Sequence, residues 1–378
     1  MHIYNKLGVT PIINAAGTYT RLSGTLMPDE VIKAMQEASE KYVNIYELQK
    51  QAGIYISNLL NVESAFITSG ACAGILLSTA ACLAGSDPAR IAKLPDTTNI
   101  SNEIIIHRSH YCNYLQSVRM AGAKLVEIGS PHRGTSIWEL EDAIGEKTAA
   151  VLYFVAYQRP GDISLQDFIK IAHKSNIPVI VDAAAELPPV SNFKAFIDLG
   201  ADLVLFSGGK ALRGPQNSGL ILGKSNLINS CMLQSSPNER LGRPLKVSKE
   251  AIAGLVAAVE RFLKLDHSKE IERCNIILDY IKEKLSSEET INMSRVYKNH
   301  NAALIPKLNI KFDLKRLGVK RQEIIGQLIN GNPPIYFAEP KDNLDTLTVD
   351  PFVLTPGDEK IIVNRLKNVL SKLRRNVE

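Results

Sequence analysis

The 378 residues contain no apolar run approaching the roughly 18 that a membrane-spanning helix needs. The opening Met1-His-Ile-Tyr-Asn-Lys-Leu-Gly also lacks the apolar core of a secretory signal. A cytoplasmic protein with no membrane partner is the expectation. Cysteine is scarce: five residues, at 72, 82, 112, 231 and 274. An odd, scattered set argues against a disulfide framework and for reduced thiols. Charge is mild, with 44 Lys and Arg against 39 Asp and Glu. No basic block is interleaved with aromatics, so a nucleic-acid partner is not expected. G-x-G-x-x-G and a Walker lysine are both missing, which removes the common nucleotide fingerprints. His107, His110 and Cys112 stand close together, but no second ligand pair follows at zinc-like spacing, so no metal is expected. There is no internal repeat and no low-complexity segment.

What remains is a globular composition, 45% apolar and 22% charged, in a chain long enough for two or three domains. Three motifs carry chemistry. Leu203 to Phe206 reads as a buried strand, ending in Ser207-Gly-Gly-Lys210. The glycines let the backbone turn tightly, and a lysine held at a strand end, partly desolvated, can attack a carbonyl to form a Schiff base. Pro178-Val-Ile-Val-Asp182 is a second strand, ending in a carboxylate. Alone, that Asp reads as a cap or turn former; beside a strand-end lysine it suits the ring nitrogen of pyridoxal phosphate. Ala65-Phe-Ile-Thr-Ser69-Gly70-Ala71 runs from strand through a small-residue turn into a helix. Its free backbone N–H groups and helix dipole suit a phosphate, with Ser207 adding a hydroxyl.

With Pro11-Ile-Ile-Asn-Ala-Ala-Gly17, Val181-Asp-Ala-Ala-Ala-Glu186 and Gly242-Arg-Pro-Leu-Lys-Val-Ser-Lys-Glu250, these motifs carry a resemblance running from about Gly8 to about Leu263. The chain resembles the fold-type I pyridoxal-phosphate enzymes of the selenocysteine synthase-like group, and within it is most similar to the D-glucosaminate-6-phosphate ammonia-lyases. The resemblance implies an α/β fold with a mostly parallel seven-stranded sheet, helices on both faces, and a smaller α+β C-terminal domain. It implies pyridoxal 5'-phosphate as cofactor, Lys210 as its anchor and general base, and Asp182 as partner of the ring nitrogen. Ser69, Gly70, Ala71 and Ser207 are expected on the phosphate, and His110 stacked on the ring. Gln216 is expected at the cofactor, its Gly-Pro-Gln turn lying near a neighbouring subunit's cofactor. An amino-acid substrate is expected to meet Asn14, Thr18 and one of Arg159, Arg213 and Arg243. A homodimer or larger homo-oligomer is implied. The implied reaction is loss of a β-hydroxyl from a 2-amino-3-hydroxy acid, giving a 2-oxo acid and ammonia. The rivals are a racemase, aldolase, cysteine lyase or aminotransferase on the same cofactor, and a selenium transferase, which would need a tRNA-binding part.

Patterning divides the chain into an N-terminal arm and helix (1–45), a large domain (46–264) and a C-terminal domain (265–378). Pro28 is expected to open a helix with an apolar face at 31, 34, 35, 38 and 42. Residues 86–102 read as a loop, and Lys124–Ile128, Ala149–Ala156 and Leu220–Leu222 as strands. The resemblance makes the last of these antiparallel. Ser164 is expected to cap a helix. Arg240, Arg243, Lys246 and Lys249 form a basic cluster before another helix. Beyond 265, strands are expected at Ala303–Pro306, Leu308–Phe312, Leu347–Val349 and Phe352–Leu354, with a final helix over 357–374.

Overall fold

Short, nearly continuous runs of Val, Ile, Leu and Phe set most strands of this protein, seen in a computed structural model that describes residues 3–297 and 305–375. Two units result, one built from residues 27–265 and the other from residues 1–26 with most of 266–378. The first strand, β1 (Ile13–Ala15), belongs to the smaller unit. In the larger unit follow β2 (Ser64–Thr68), β3 (Glu103–His107), β4 (Lys124–Ile128) and β5 (Thr148–Phe154). Then come β6 (Val179–Asp182), β7 (Leu203–Ser207) and β8 (Gly219–Gly223).

These seven make one sheet in the order β2-β8-β7-β6-β5-β3-β4. Only β8 runs against its neighbours, pairing antiparallel with β2 and with β7. The carboxyl ends of the other six therefore share one edge, the edge at which open α/β sheets hold their ligands. Ile67, Ile105, Val151, Val181 and Val204 pack on one face, under the helices Leu165–Lys174 and Lys249–Lys264. Phe66, Ile104, Leu152, Ile180 and Leu205 pack on the other, under the helices Ala71–Ala84 and Ser225–Gln234. Nearly every strand position is buried, as expected of a parallel sheet covered on both sides.

The expected mostly parallel seven-stranded sheet with helices on both faces is what the chain forms, including the antiparallel 220–222 strand. Some local expectations change. Residues 86–102 are not all loop: Asp87 accepts from the N–H groups of Ala89 and Arg90 and starts a helix, Pro88–Lys93. The helix Asp29–Ser39 follows Pro28, but only Val31 of its apolar positions is fully buried, and Tyr42 lies beyond its end, exposed. That helix packs on Lys249–Lys264 within the larger unit, although patterning grouped it with the arm.

In the smaller unit β9 (Ile291–Val296), β10 (Lys307–Phe312) and β12 (Thr346–Val349) form an antiparallel sheet, with β11 (Ile335–Phe337) between β10 and β12 in sequence. The strand β1 pairs parallel with β11. Pro351–Val353 is a 3-10 turn where a strand was expected, because Asp350 accepts from the Phe352 N–H and Pro351 cannot donate to a ladder. Of the strand expected at 303–306, Ala303 and Leu304 lie outside the described residues. Among the described residues no helix is long and apolar enough to cross a membrane.

Candidate active site

The carboxyl edge of the sheet collects the motif residues. Registry alone brings two of them together: Gly219 of β8 pairs with Thr68 on one side and with Ser207 on the other. The turn after β2 and the turn after β7 therefore lie one strand apart. A Cβ on Gly219 would come within 2.5 Å of the Gly70 carbonyl carbon and 2.8 Å of the Ala71 nitrogen. Only a glycine there lets the cup backbone settle against β8. Gly70 itself has φ +125, with open space where a Cβ would be. Its glycine is required by conformation, not by crowding.

The helix Ala71–Ala84 starts at this point with no side-chain cap and no acidic residue in its first turn. Its first intrahelical bond runs from the Gly74 N–H to the Gly70 carbonyl. The N–H groups of the preceding positions are left to a ligand, which suits an anion. The Thr68 hydroxyl donates to the Gly70 carbonyl at 2.9 Å and holds the turn. Ser69, Gly70 and Ala71 are half-buried here, and Ser207 is half-buried across from them.

Asp182 ends β6 at 8% exposure and accepts from the Ala184 N–H at 2.9 Å. Burial raises its carboxyl above the usual range, while the Ala184 N–H and the charge of Lys210 pull it down. Lys210 is half-buried in the turn after β7, and its carbonyl accepts from the Arg213 N–H at 2.9 Å. Arg213 adopts a left-handed conformation, φ 54, in that turn. The Gln216 carboxamide folds back against Gly209, next to Lys210 of its own chain. The free donors of a helix start, a buried carboxylate and a lysine on one edge fit the phosphate, ring nitrogen and aldehyde of pyridoxal phosphate.

His110 is fully buried, its ring 4.7 Å from Tyr153 and 4.7 Å from His107, both edge-on. It stands beside the ends of β3 and β5, accepting from the Phe154 N–H at 3.2 Å, and Phe154 pairs with Asp182 across the β5–β6 ladder. Arg159 is exposed just past β5. Arg243 follows Gly242, which packs on Leu77 in the second turn of the helix Ala71–Ala84. Asn14 and Thr18 belong to the smaller unit. There the Asn14 side chain closes its own turn, donating to the Gly17 carbonyl and accepting from the Ala16 and Gly17 N–H groups.

Two residues without an assigned role stand at the site. Burial pushes the Cys72 thiol up, with Asp182 adding and Lys210 opposing. Burial also raises Cys112, and Asp182 contributes. Cys72 directly follows the quoted cup motif, so its position there was the signal; Cys112 was set aside with the rejected metal reading.

Comparison with known proteins agrees with this geometry. The chain is 31% identical over 374 residues to D-glucosaminate-6-phosphate ammonia lyase of Salmonella typhimurium, covering 97% of this chain and 98% of that one. It is 30% identical over 376 residues to a 5'-C-glycyluridine monooxygenase-decarboxylase of a Streptomyces species, covering 97% and 92%. A solved structure of D-glucosaminate-6-phosphate ammonia-lyase superimposes with a TM-score of 0.84 at 30% identity, over 99% of both chains. With residues 12–318 matching the family model described as L-seryl-tRNA selenium transferase, the chain belongs to that family, whose cofactor is pyridoxal 5'-phosphate.

Proposed function

We propose that the protein is an ammonia-lyase: a small 2-amino-3-hydroxy acid loses its β-hydroxyl as water, and water then hydrolyses the resulting enamine to a 2-oxo acid and ammonia. A phosphorylated amino sugar acid such as D-glucosaminate 6-phosphate is the substrate class favoured, because the likeness to that lyase spans nearly the whole of both chains. The observation that carries the chemistry is the buried Asp182 carboxylate within the field of Lys210 on the edge where an uncapped helix begins. Bound pyridoxal phosphate supplies an aldehyde for the substrate amine and a ring that takes up the electrons released at Cα.

The chain's own residues do the rest. The Ala71–Ala84 helix start and Ser207 hold the phosphate. Asp182, ionised beside a cationic ring nitrogen, keeps that nitrogen protonated, since an opposite charge offsets the burial that raises its carboxyl. Lys210 Nζ would anchor the cofactor and, when not bonded to it, would take the Cα proton as general base. The exposed Arg159, on the loop after β5 one strand from Asp182, is the candidate for the substrate carboxylate. The active form is a homo-oligomer of cytoplasmic protein.

The test is turnover of D- and L-hydroxyamino acids, with and without a terminal phosphate, in air and under nitrogen. Equal 2-oxo acid and ammonia with no added acceptor and no oxygen uptake supports the lyase. A requirement for oxygen would favour chemistry like that of the monooxygenase-decarboxylase relative, and a requirement for a 2-oxo acid acceptor would make it an aminotransferase. Exchange at Cα without ammonia would make it a racemase.

A further inference from the structure

The ladder between β3 and β5 ends at Ile105↔Val151, whereas β5 stays paired with β6 as far as Phe154↔Asp182. Chain order reverses at the same place, β3 leading outward to β4 and β5 leading the other way to β6 and β7. Such a reversal marks the ligand crevice of an open α/β sheet. Side chains stitch its upper part. The Phe154 N–H, beyond the end of the β3 ladder, donates to His110 Nδ1 at 3.2 Å. That bond requires a lone pair on Nδ1, so the neutral ring carries its proton on Nε2. The Nε2 faces Asp162 Oδ2, 3.6 Å away.

The same Asp162 oxygen accepts from the Ser109 hydroxyl at 2.8 Å and from the Arg159 N–H at 2.9 Å. One carboxylate oxygen thus ties the loop after β3 to the loop after β5. The His110 and Asp162 side chains are shielded from solvent, which strengthens the contact between them, while the bond from the Arg159 N–H lies at the exposed end of the loop. A parallel tie runs beside it: Thr135 donates its N–H to the Gly161 carbonyl at 2.9 Å, and its hydroxyl meets His107 Nδ1 at 2.8 Å. Burial opposes the charge on Asp162, but His110, Ser109 and the Arg159 N–H outweigh it and keep the carboxyl below its ordinary range.

Arg159 rides on the loop so held, exposed to solvent, one strand from Asp182. We propose that Asp162 is a positioning residue that holds Arg159 at the rim of the site, where its guanidinium takes the α-carboxylate of the substrate. This rests on the reading above only in requiring an amino-acid substrate.

The test titrates the holoenzyme with D- and L-serine and with the corresponding serinamides, following the absorbance of bound pyridoxal phosphate. Wild type should prefer acid over amide by about tenfold, the worth of one good charge-assisted carboxylate contact. Asp162→Ala and Arg159→Ala should each lose that preference while amide affinity and cofactor affinity stay within about twofold, and the double variant should lose nothing more. Asp162→Asn, which keeps an oxygen for the Ser109 hydroxyl and the Arg159 N–H, should retain most of the preference. An unchanged preference in Asp162→Ala overturns the proposal. So does equal weakening of acid and amide, or the absence of any preference in wild type. If neither serine perturbs the spectrum, hydrogen exchange decides: in Asp162→Ala, faster exchange confined to residues 109–115 and 156–163 supports the tie, and unchanged exchange there overturns it. Binding is read without turnover, so failure of the lyase reading leaves this result standing.

Discussion

Asp182 and His107 show how burial does opposite work on two side chains of the same sheet. Asp182 is shielded and its carboxyl raised, so without a cationic partner its charge is costly. A cationic ring nitrogen repays that cost, which is why Asp182→Asn should keep the cofactor yet lower kcat by about a hundredfold or more. Steady-state kinetics on the substrate found by the ammonia screen checks it, and activity within about twofold of wild type would hand the role to another residue. His107 is fully buried among Tyr153, Phe168 and His110, and burial first, then His110, depresses its imidazole to about 3. The unfolded chain takes up that proton near the ordinary value of about 6.5. A depressed folded value means stability present above about 6.5 and lost as pH falls towards 3. At pH 5 the loss from this one residue is about 2 kcal/mol. Urea midpoints measured at pH 7.5 and pH 5 should therefore fall less for His107→Gln than for wild type, and identical falls would refute the assignment.

At the scale of elements, the cup is made by a strand register and two glycines of different kinds. Gly219→Ala pushes a methyl into the Gly70–Ala71 backbone, whereas Gly70→Ala meets open space but must adopt φ +125, a strain of about 1–3 kcal/mol. Both should weaken pyridoxal-phosphate binding in equilibrium dialysis, and Gly145→Ala, with nothing within 4 Å and no positive φ, should not. Equal affinity in all three would move the phosphate away from the Ala71–Ala84 helix start. Much of this element was legible in sequence because it is local: a buried strand, a small-residue turn and an apolar helix follow one another without interruption. The reason for Gly219 was not, since it depends on β8 returning antiparallel between β2 and β7. How His110 is held was not legible for a related reason: its bond to the Phe154 N–H depends on the β3–β5 pairing ending at Ile105↔Val151. The Pro88–Lys93 helix was hidden by its polar composition, although Asp87-Pro88 is a cap followed by a first-turn proline.

At the scale of the whole chain, the sequence order and the unit order differ. The smaller unit joins residues from both ends of the chain, with the larger unit inserted between them. Its N-terminal contribution is engaged through β1: β1 pairs with β11 through Ile13↔Ile335 and Ala15↔Phe337, and the Asp350 N–H donates to the Ala15 carbonyl at 2.8 Å. Ile13 and Ala15 are buried in the same cluster as Leu308, Leu347 and Leu370. Asp350, itself mostly buried, pairs with Lys307 at 2.8 Å and sits where a side chain on Gly17 would go, so the turn after β1 is fitted to the second sheet. Burying Ile13 alone is worth about 2 kcal/mol, before the lost ladder bonds are counted. Removing residues 1–18 should therefore destabilise the C-terminal residues far from it in sequence, while the phosphate cup, Asp182 and Lys210, all within residues 27–265, keep their internal contacts. Limited proteolysis followed by mass spectrometry reads this directly. Cleavage should appear first between 305 and 350 in the truncated protein, at protease concentrations that leave wild type intact. If the earliest new cuts fall instead within residues 64–223, the N-terminal segment supports the larger sheet, and the pairing of β1 with β11 is not what anchors it.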